Sequence, residues 1–227
     1  MAHPPPAPAS LEEVLFSQGF GSRRACAALA PQAQLSADGH TLTVAGVAWP
    51  VVTHALVMLH KPAGYECSQR PGRWPSVLSL LPAPLRQRGK GGVQPVGRLD
   101  ADTTGLLLLT DDGALTHRLT SPRRHVPKVY EVTCKHPVDK AQIERLLAGV
   151  VLHDDPAPVA ASAAQATGTH TLRLTLAQGK YHQVKRMLAA VGNRVEGLHR
   201  SAFGSQALPA DLAPGQWRWV VASDFGI

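Results

Sequence analysis

Arg98, Asp100 and Asp102 stand at the mouth of a run of four leucines, Leu106–Leu109. That run is bounded by Gly105 and by Asp111-Asp112-Gly113, and it predicts a short, fully buried strand closed by a tight turn. Charged groups at such a place are costly unless paired. A carboxylate held there is ionised at neutral pH and available as a nucleophile. The plainer alternative is an ion pair at Arg98 and Asp100, with Asp102-Thr103-Thr104 as a turn cap.

Two further groups have the spacing to join this chemistry. Over residues 182–192, Val184, Met187, Leu188 and Val191 form an apolar helical stripe, which leaves His182, Lys185 and Arg186 on the opposite side, free to face a cleft. In Lys128-Val129-Tyr130-Glu131-Val132, alternation puts Lys128, Tyr130 and Val132 on one strand face. Asp100-Ala101-Asp102-Thr103-Thr104 also fits D-x-D-x-T, which resembles the nucleophile loop of Mg²⁺-dependent haloacid-dehalogenase-type phosphatases. That loop belongs at the end of a hydrophobic strand, whereas here the apolar strand follows the aspartates.

The elements that must position these groups alternate irregularly. Residues 11–30 read as two short helices around Gly19–Gly21, with Ser22 as N-cap of the second, and the segment after them as a small hairpin around Asp38-Gly39. A strand begins at residue 55, and a basic Gly/Pro-rich loop covers roughly 69 to 95. Strands are expected over 106–109, 128–134, 170–177 and 194–204, and helices over 114–120, 138–149 and 182–192. This order predicts an α+β fold rather than strict βαβ winding. Residues 1–10 read as a disordered, proline-rich start.

The chain has 227 residues and a formal charge of +7, with arginine-rich knots that include Arg118, Arg123 and Arg124, and Lys180, Lys185 and Arg186. Such knots beside glycines suit a phosphate-contacting face. The three cysteines lack metal-ligand spacing and are expected to be reduced thiols. No stretch resembles a signal peptide or membrane span, so a cytoplasmic location without membrane association is expected.

Gly97–Gly113, GRLDADTTGLLLLTDDG, closely resembles the G-R-L-D-x-x-T-x-G-L-L motif of pseudouridine synthases. Three further stretches, LHKPAGYECS (59–68), SPRRHVPKVYEV (121–132) and GKYHQVKRMLAAVGNRVEGLHR (179–200), resemble the family's other motifs in the right order. HQVKRM, AAVGNRVEGLHR and LAPGQWR are similar to the ribosomal small-subunit pseudouridine synthase A subgroup. The resemblance implies a mixed or antiparallel sheet with flanking helices over 55–227. It also implies an S4-like RNA-binding module over 11–53, degenerate here because only Gly21-Ser22-Arg23 matches well.

It further implies that a specific uridine of small-subunit (16S) ribosomal RNA is isomerised by a monomer, with no cofactor and no metal, since the reaction is redox-neutral. Asp100 would be the catalytic aspartate, Lys185 its basic partner, and Tyr130 the aromatic that packs on the flipped uridine. Arg98 would hold the loop or the flipped state, and Thr104 would shape the turn. Arg118, Arg123, Arg124, Lys128, His182 and Arg186 would contact substrate RNA. A large-subunit (23S) target and a non-catalytic RNA-binding assembly factor are the alternatives.

Overall fold

The computed structural model describes residues 10–153 and 155–225; residues 1–9, most of the expected disordered start, lie outside them. Ser10 is instead the N-cap of helix α1 (Leu11–Ser17). Its hydroxyl accepts from the Glu13 amide while the Glu13 carboxylate accepts from the Ser10 amide, a reciprocal capping box. Ser22 caps α2 (Arg23–Leu29) in the expected way, accepting from Ala25 N.

The expected single hairpin is a three-stranded antiparallel meander, β1 (Ala33–Leu35), β2 (Thr41–Val44) and β3 (Val47–Pro50). The second turn is Ala45-Gly46, with φ of 48° and 80°. Two left-handed residues make the tight turn that matches strand twist, and alanine gives no sequence signal for it. Val14, Leu15, Cys26, Leu42 and Val44 form the small core of this unit.

Arg88 ties the unit to the rest of the chain. Its guanidinium is buried and donates to Gln18 Oε1 at 2.7 Å, to Val52 O at 2.8 Å and to Asp111 Oδ2 at 2.9 Å. Gly19 sits against the same place: with φ +85°, a Cβ there would lie 2.2 Å from Pro84 O.

The segment expected as a loop over 69–95 carries more structure than that. It holds a 3₁₀ turn (Val77–Leu80), the short helix α3 (Ala83–Gln87) and β5 (Gln94–Pro95). It lies between β4 (Leu56–Lys61) and β6 (Thr104–Thr110). Then follow α4 (Gly113–Thr120), β7 (Lys128–Cys134), α5 (Lys140–Ala148), the hairpin β8 (Val150–Leu152) and β9 (Asp155–Val159), and β10 (Ala163–Gly168). The chain ends through β11 (Thr171–Leu176), α6 (Gln183–Ala190), β12 (Val195–Phe203), β13 (Gln206–Ala207) and β14 (Trp217–Trp219).

The main sheet runs β10-β11-β7-β12-β6-β4-β14, with β5 paired to β6 and β13 to β12. All neighbours are antiparallel except β12 and β6, so the fold is α+β with a mixed sheet. β6 is interior, which explains its four leucines. Leu107 and Leu109 enter the core that includes α5 and α6, while Leu106 and Leu108 enter the one beneath α4. A strand buried on both faces shows no polar alternation, and each fully buried leucine contributes about 2 kcal/mol relative to exposure. Among the described residues no helix is long and apolar enough to cross a membrane, and Cys26, Cys67 and Cys134 are free thiols.

Candidate active site

Asp100 lies in the loop that leads into β6, and that loop is held from below. Leu99 is buried in the core, and Thr103 N donates to Asp100 O at 3.1 Å. The last residue of β4, Lys61, is completely buried. Its ammonium donates to Pro62 O at 3.0 Å, Ala101 O at 3.2 Å and Thr103 O at 2.8 Å, so one cation pins three carbonyls around the aspartate loop. Burial pushes this ammonium below the usual lysine range, against the opposing pull of Cys67, Asp102 and Asp100. Gly105 is required at the base of the loop. Its φ is +110°, and a Cβ would lie 2.3 Å from Arg200 O on the adjacent β12.

Helix α6 supplies the partners of the carboxylate. Val184, Met187 and Leu188 are buried, as the stripe predicts, and the opposite side faces Asp100. Lys185 Nζ lies 2.9 Å from Asp100 Oδ2, and His182 Nε2 lies 3.2 Å from Asp100 Oδ1. Lys185 also donates to Asp102, at 2.7 Å to Oδ1 and 2.9 Å to Oδ2. Burial lowers the affinity of Lys185 for its proton, but its bonds to Asp102 and Asp100 outweigh that and raise its pKa. For Asp102, burial acts upward and is outweighed by the Lys185 bond and charge, so its carboxyl sits below the usual range. His182, the N-cap of α6, has φ 47°, an uncommon left-handed conformation for a residue with a Cβ. Its ring stacks on exposed Tyr181 at 3.8 Å between centroids.

These groups open onto a cavity of about 670 Å³, in the size range of small-molecule sites. Its floor comes from the sheet: Lys128 and Tyr130 on β7, Arg200 and Phe203 on β12. Tyr130 pairs across the strands with Arg200, and Lys128 with Phe203. Six of the residues singled out from sequence therefore share one cavity: Arg98, Asp100, Lys128, Tyr130, His182 and Lys185.

The remaining five do not line it. Thr104 Oγ1 lies 2.9 Å from His199 Nδ1, because strand alternation turns it away, and its neighbour Thr103 lines the cavity instead. Arg186 Nη1 donates to Tyr181 O at 3.0 Å, so it braces the turn before α6. Arg118 on α4 and Arg123 and Arg124 on the following 3₁₀ turn are exposed outside the cavity, whose wall includes Thr120 from the same helix. Arg98 is exposed at the cavity and makes no ion pair among the described residues, so the ion-pair alternative fails for Arg98, while Asp100 pairs with Lys185.

Sequence reasoning passed over Lys61, Arg200 and Glu66. Lys61 had a signal, standing just past the apolar run Leu56–Leu59 and His60, inside the motif-like stretch LHKPAGYECS. Glu66 gathers the amides of Gly72, Arg73 and Trp74, each at 2.9 Å. These bonds hold its carboxyl below the usual range and fix the loop beside the cavity. Among the described residues no cluster of three or more His, Cys, Asp or Glu side chains is arranged to hold a metal.

Residues 55–190 match the family described as RNA pseudouridylate synthase. The chain is 41% identical over 190 residues to the ribosomal small subunit pseudouridine synthase A of Yersinia pestis, covering 84% of this chain and 77% of that protein. It is 46% identical over 161 residues to the protein of the same name from Escherichia coli strain K12, covering 71% and 68%. A solved pseudouridylate synthase superimposes with a TM-score of 0.71 at 32% identity, covering 95% of this chain and 97% of that one. With its aspartate, lysine and tyrosine gathered at one cavity and these similarities across most of its length, the chain belongs to the RNA pseudouridylate synthase family.

Proposed function

We propose that the protein isomerises a uridine of small-subunit ribosomal RNA to pseudouridine, using Asp100 as the essential carboxylate. The observation that carries the assignment of Asp100 is its position. It lies at the cavity with one oxygen against Lys185 and the other against His182, and Tyr130 lines the same cavity. Cleavage of C1′–N1 lets the base turn, and joining C5 to C1′ completes the isomerisation. Lys185 holds Asp100 in place through their ion pair, Tyr130 packs on the flipped base, and a few kcal/mol of unstacking are recovered in the cavity. Arg118, Arg123 and Arg124, outside the cavity, hold RNA phosphates and set its register.

The small-subunit target is supported by the names of the relatives at 41% and 46% identity. The N-terminal unit, two helices and a three-stranded sheet, suits a small S4-like RNA-binding module, and residues 55–227 form the synthase domain. The protein acts in the cytoplasm as a monomer. A phosphatase reading of the two aspartates lacks the geometry it needs, because Asp100 and Asp102 precede β6 instead of ending a strand.

Tritium release from C5-labelled uridine tests the reading, with small-subunit RNA supplied naked and as a partly assembled particle. Release that persists in chelator supports it. Release from large-subunit RNA alone moves the target, and silence on every RNA despite tight binding supports a non-catalytic binding factor.

A further inference from the structure

We propose that Lys128 and Arg200 form a cationic floor that grips the carbonyl edge of the flipped uracil and stabilises the negative charge that builds on the base as C1′–N1 breaks. The inference rests on the uridine-isomerising reading of this cavity and adds Arg200 to the residues that act in it.

Both cations are buried, Lys128 at 7% and Arg200 at 2% exposure, and both line the cavity. Among the described residues neither has a carboxylate partner. The acidic groups lining the cavity are Glu66 and Asp100. Glu66 is taken by three backbone amides, and Asp100 by Lys185 and His182. Arg200 Nε donates to Leu106 O at 2.8 Å, but its Nη2 is buried with no hydrogen-bond partner among the described residues. The guanidinium of Arg200 and the ammonium of Lys128 each lie 5.3 Å from the centre of the Phe203 ring. Burial first, and Arg200 second, push Lys128 down to about 8. Two buried cations without a counter-anion are costly, and an anionic ligand relieves that cost.

Depth selects the base over a phosphate. The RNA chain must enter and leave the cavity, so its phosphates stay at the mouth, near exposed Arg98 and Tyr181. The base is the part that reaches the floor. When C1′–N1 breaks, its electron pair leaves with the base, giving a uracil anion with charge on N1 and the carbonyl oxygens, while an Asp100 oxygen bonds to C1′. The same anion forms if Asp100 instead takes the C2′ proton, with C1′ and C2′ becoming doubly bonded. Joining C5 to C1′ returns the pair to the new bond, frees the carboxylate (or returns the C2′ proton), and moves the C5 proton to N1. Nothing is oxidised or reduced. Preorganised donors at a developing anion act in this way.

The test compares single-turnover conversion of uridine to pseudouridine at the target position with that of 5-fluorouridine to its C5-linked adduct, which keeps fluorine at C5 and takes up water across C6 and N1 because no C5 proton can leave. Both are read by nuclease digestion and chromatography, for wild type, Lys128→Met and Lys128→Arg. Fluorine makes the base a better leaving group, so it needs less help from a cation. The expected result is a loss of about 10²-fold for Lys128→Met on uridine. The loss should be several-fold smaller on 5-fluorouridine, with RNA affinity unchanged and most of the rate kept by Lys128→Arg. Equal losses on both substrates, or an affinity loss matching the rate loss, would overturn the inference and assign Lys128 to structure or to a phosphate. If Lys128→Met does not fold, Lys128→Gln carries the same comparison. A wild type that converts neither substrate would fail the uridine-isomerising reading itself.

Discussion

Lys185 Nζ is shared between two carboxylates, 2.9 Å from Asp100 Oδ2 and 2.7 Å from Asp102 Oδ1. The two contacts differ in setting: the Asp100 side chain is 26% exposed and that of Asp102 71%. An exposed pair is worth little, whereas a charge partner held inside a cavity is worth more. Lys185→Met is therefore expected to lower the rate by about 10²-fold or more, with RNA affinity nearly unchanged. Asp102→Asn should stay within about tenfold of wild type. Single-turnover rates and filter binding on the two variants check this, and a larger loss for Asp102→Asn would exchange the roles of the two aspartates.

The same pair has an acid limb. The Asp102 carboxyl is held below the usual range and the Lys185 ammonium above its own. A depressed carboxyl contributes stability that is fully present above its unfolded value and is lost as pH falls through the lower folded value. Carbon-detected NMR of the Asp102 carboxyl should give a midpoint below that of an aspartate in an unstructured peptide, and Lys185→Met should move it upward.

Lys61 makes a separate prediction, because its ammonium satisfies three backbone carbonyls under the Asp100 loop. Lys61→Met keeps the apolar stem and leaves those acceptors without a donor, at about 1–3 kcal/mol for each one that stays buried. A melting temperature lower by about 5–10 °C is expected. The variant that remains folded should turn over more slowly while binding RNA with little change. An unchanged melting temperature would contradict the clamp.

Arg118, Arg123 and Arg124 are exposed outside the cavity, and their role is proposed to be phosphate contact. Replacing all three with glutamine should weaken RNA binding and reduce the slope of log affinity against log salt by about 2–3. Saturating single-turnover rates should be unchanged. A rate defect at saturation would place these arginines in the chemistry instead.

Much of the molecule was legible where burial and periodicity coincide. β7 spans 128–134 as read, and the interior β6 extends the leucine run by only a few residues. β10 was invisible because AAQATG is an edge strand exposed at every position but the half-buried Ala164, and so has no alternation to read. β14 is three residues long, too short for any period. At the site, helix spacing left Lys185 free to face a cleft, and the family resemblance supplied Asp100 as its partner. The choice between Thr103 and Thr104 depends on strand parity at the first residue of β6, and a one-residue error turns the wrong hydroxyl inward. Arg200 closes the motif-like stretch 179–200, but strand periodicity alone does not tell whether such an arginine is solvated or buried at a cavity floor.

The most direct test replaces one oxygen. Asp100→Asn keeps the volume of the side chain and removes its negative charge. Tritium release from C5-labelled uridine and RNA affinity should be measured on the same preparation. The account predicts no detectable turnover with affinity within a few-fold of wild type, because phosphate contacts supply most of the binding. Turnover retained by Asp100→Asn, or affinity lost in step with rate, would contradict Asp100 as the carboxylate that carries the reaction.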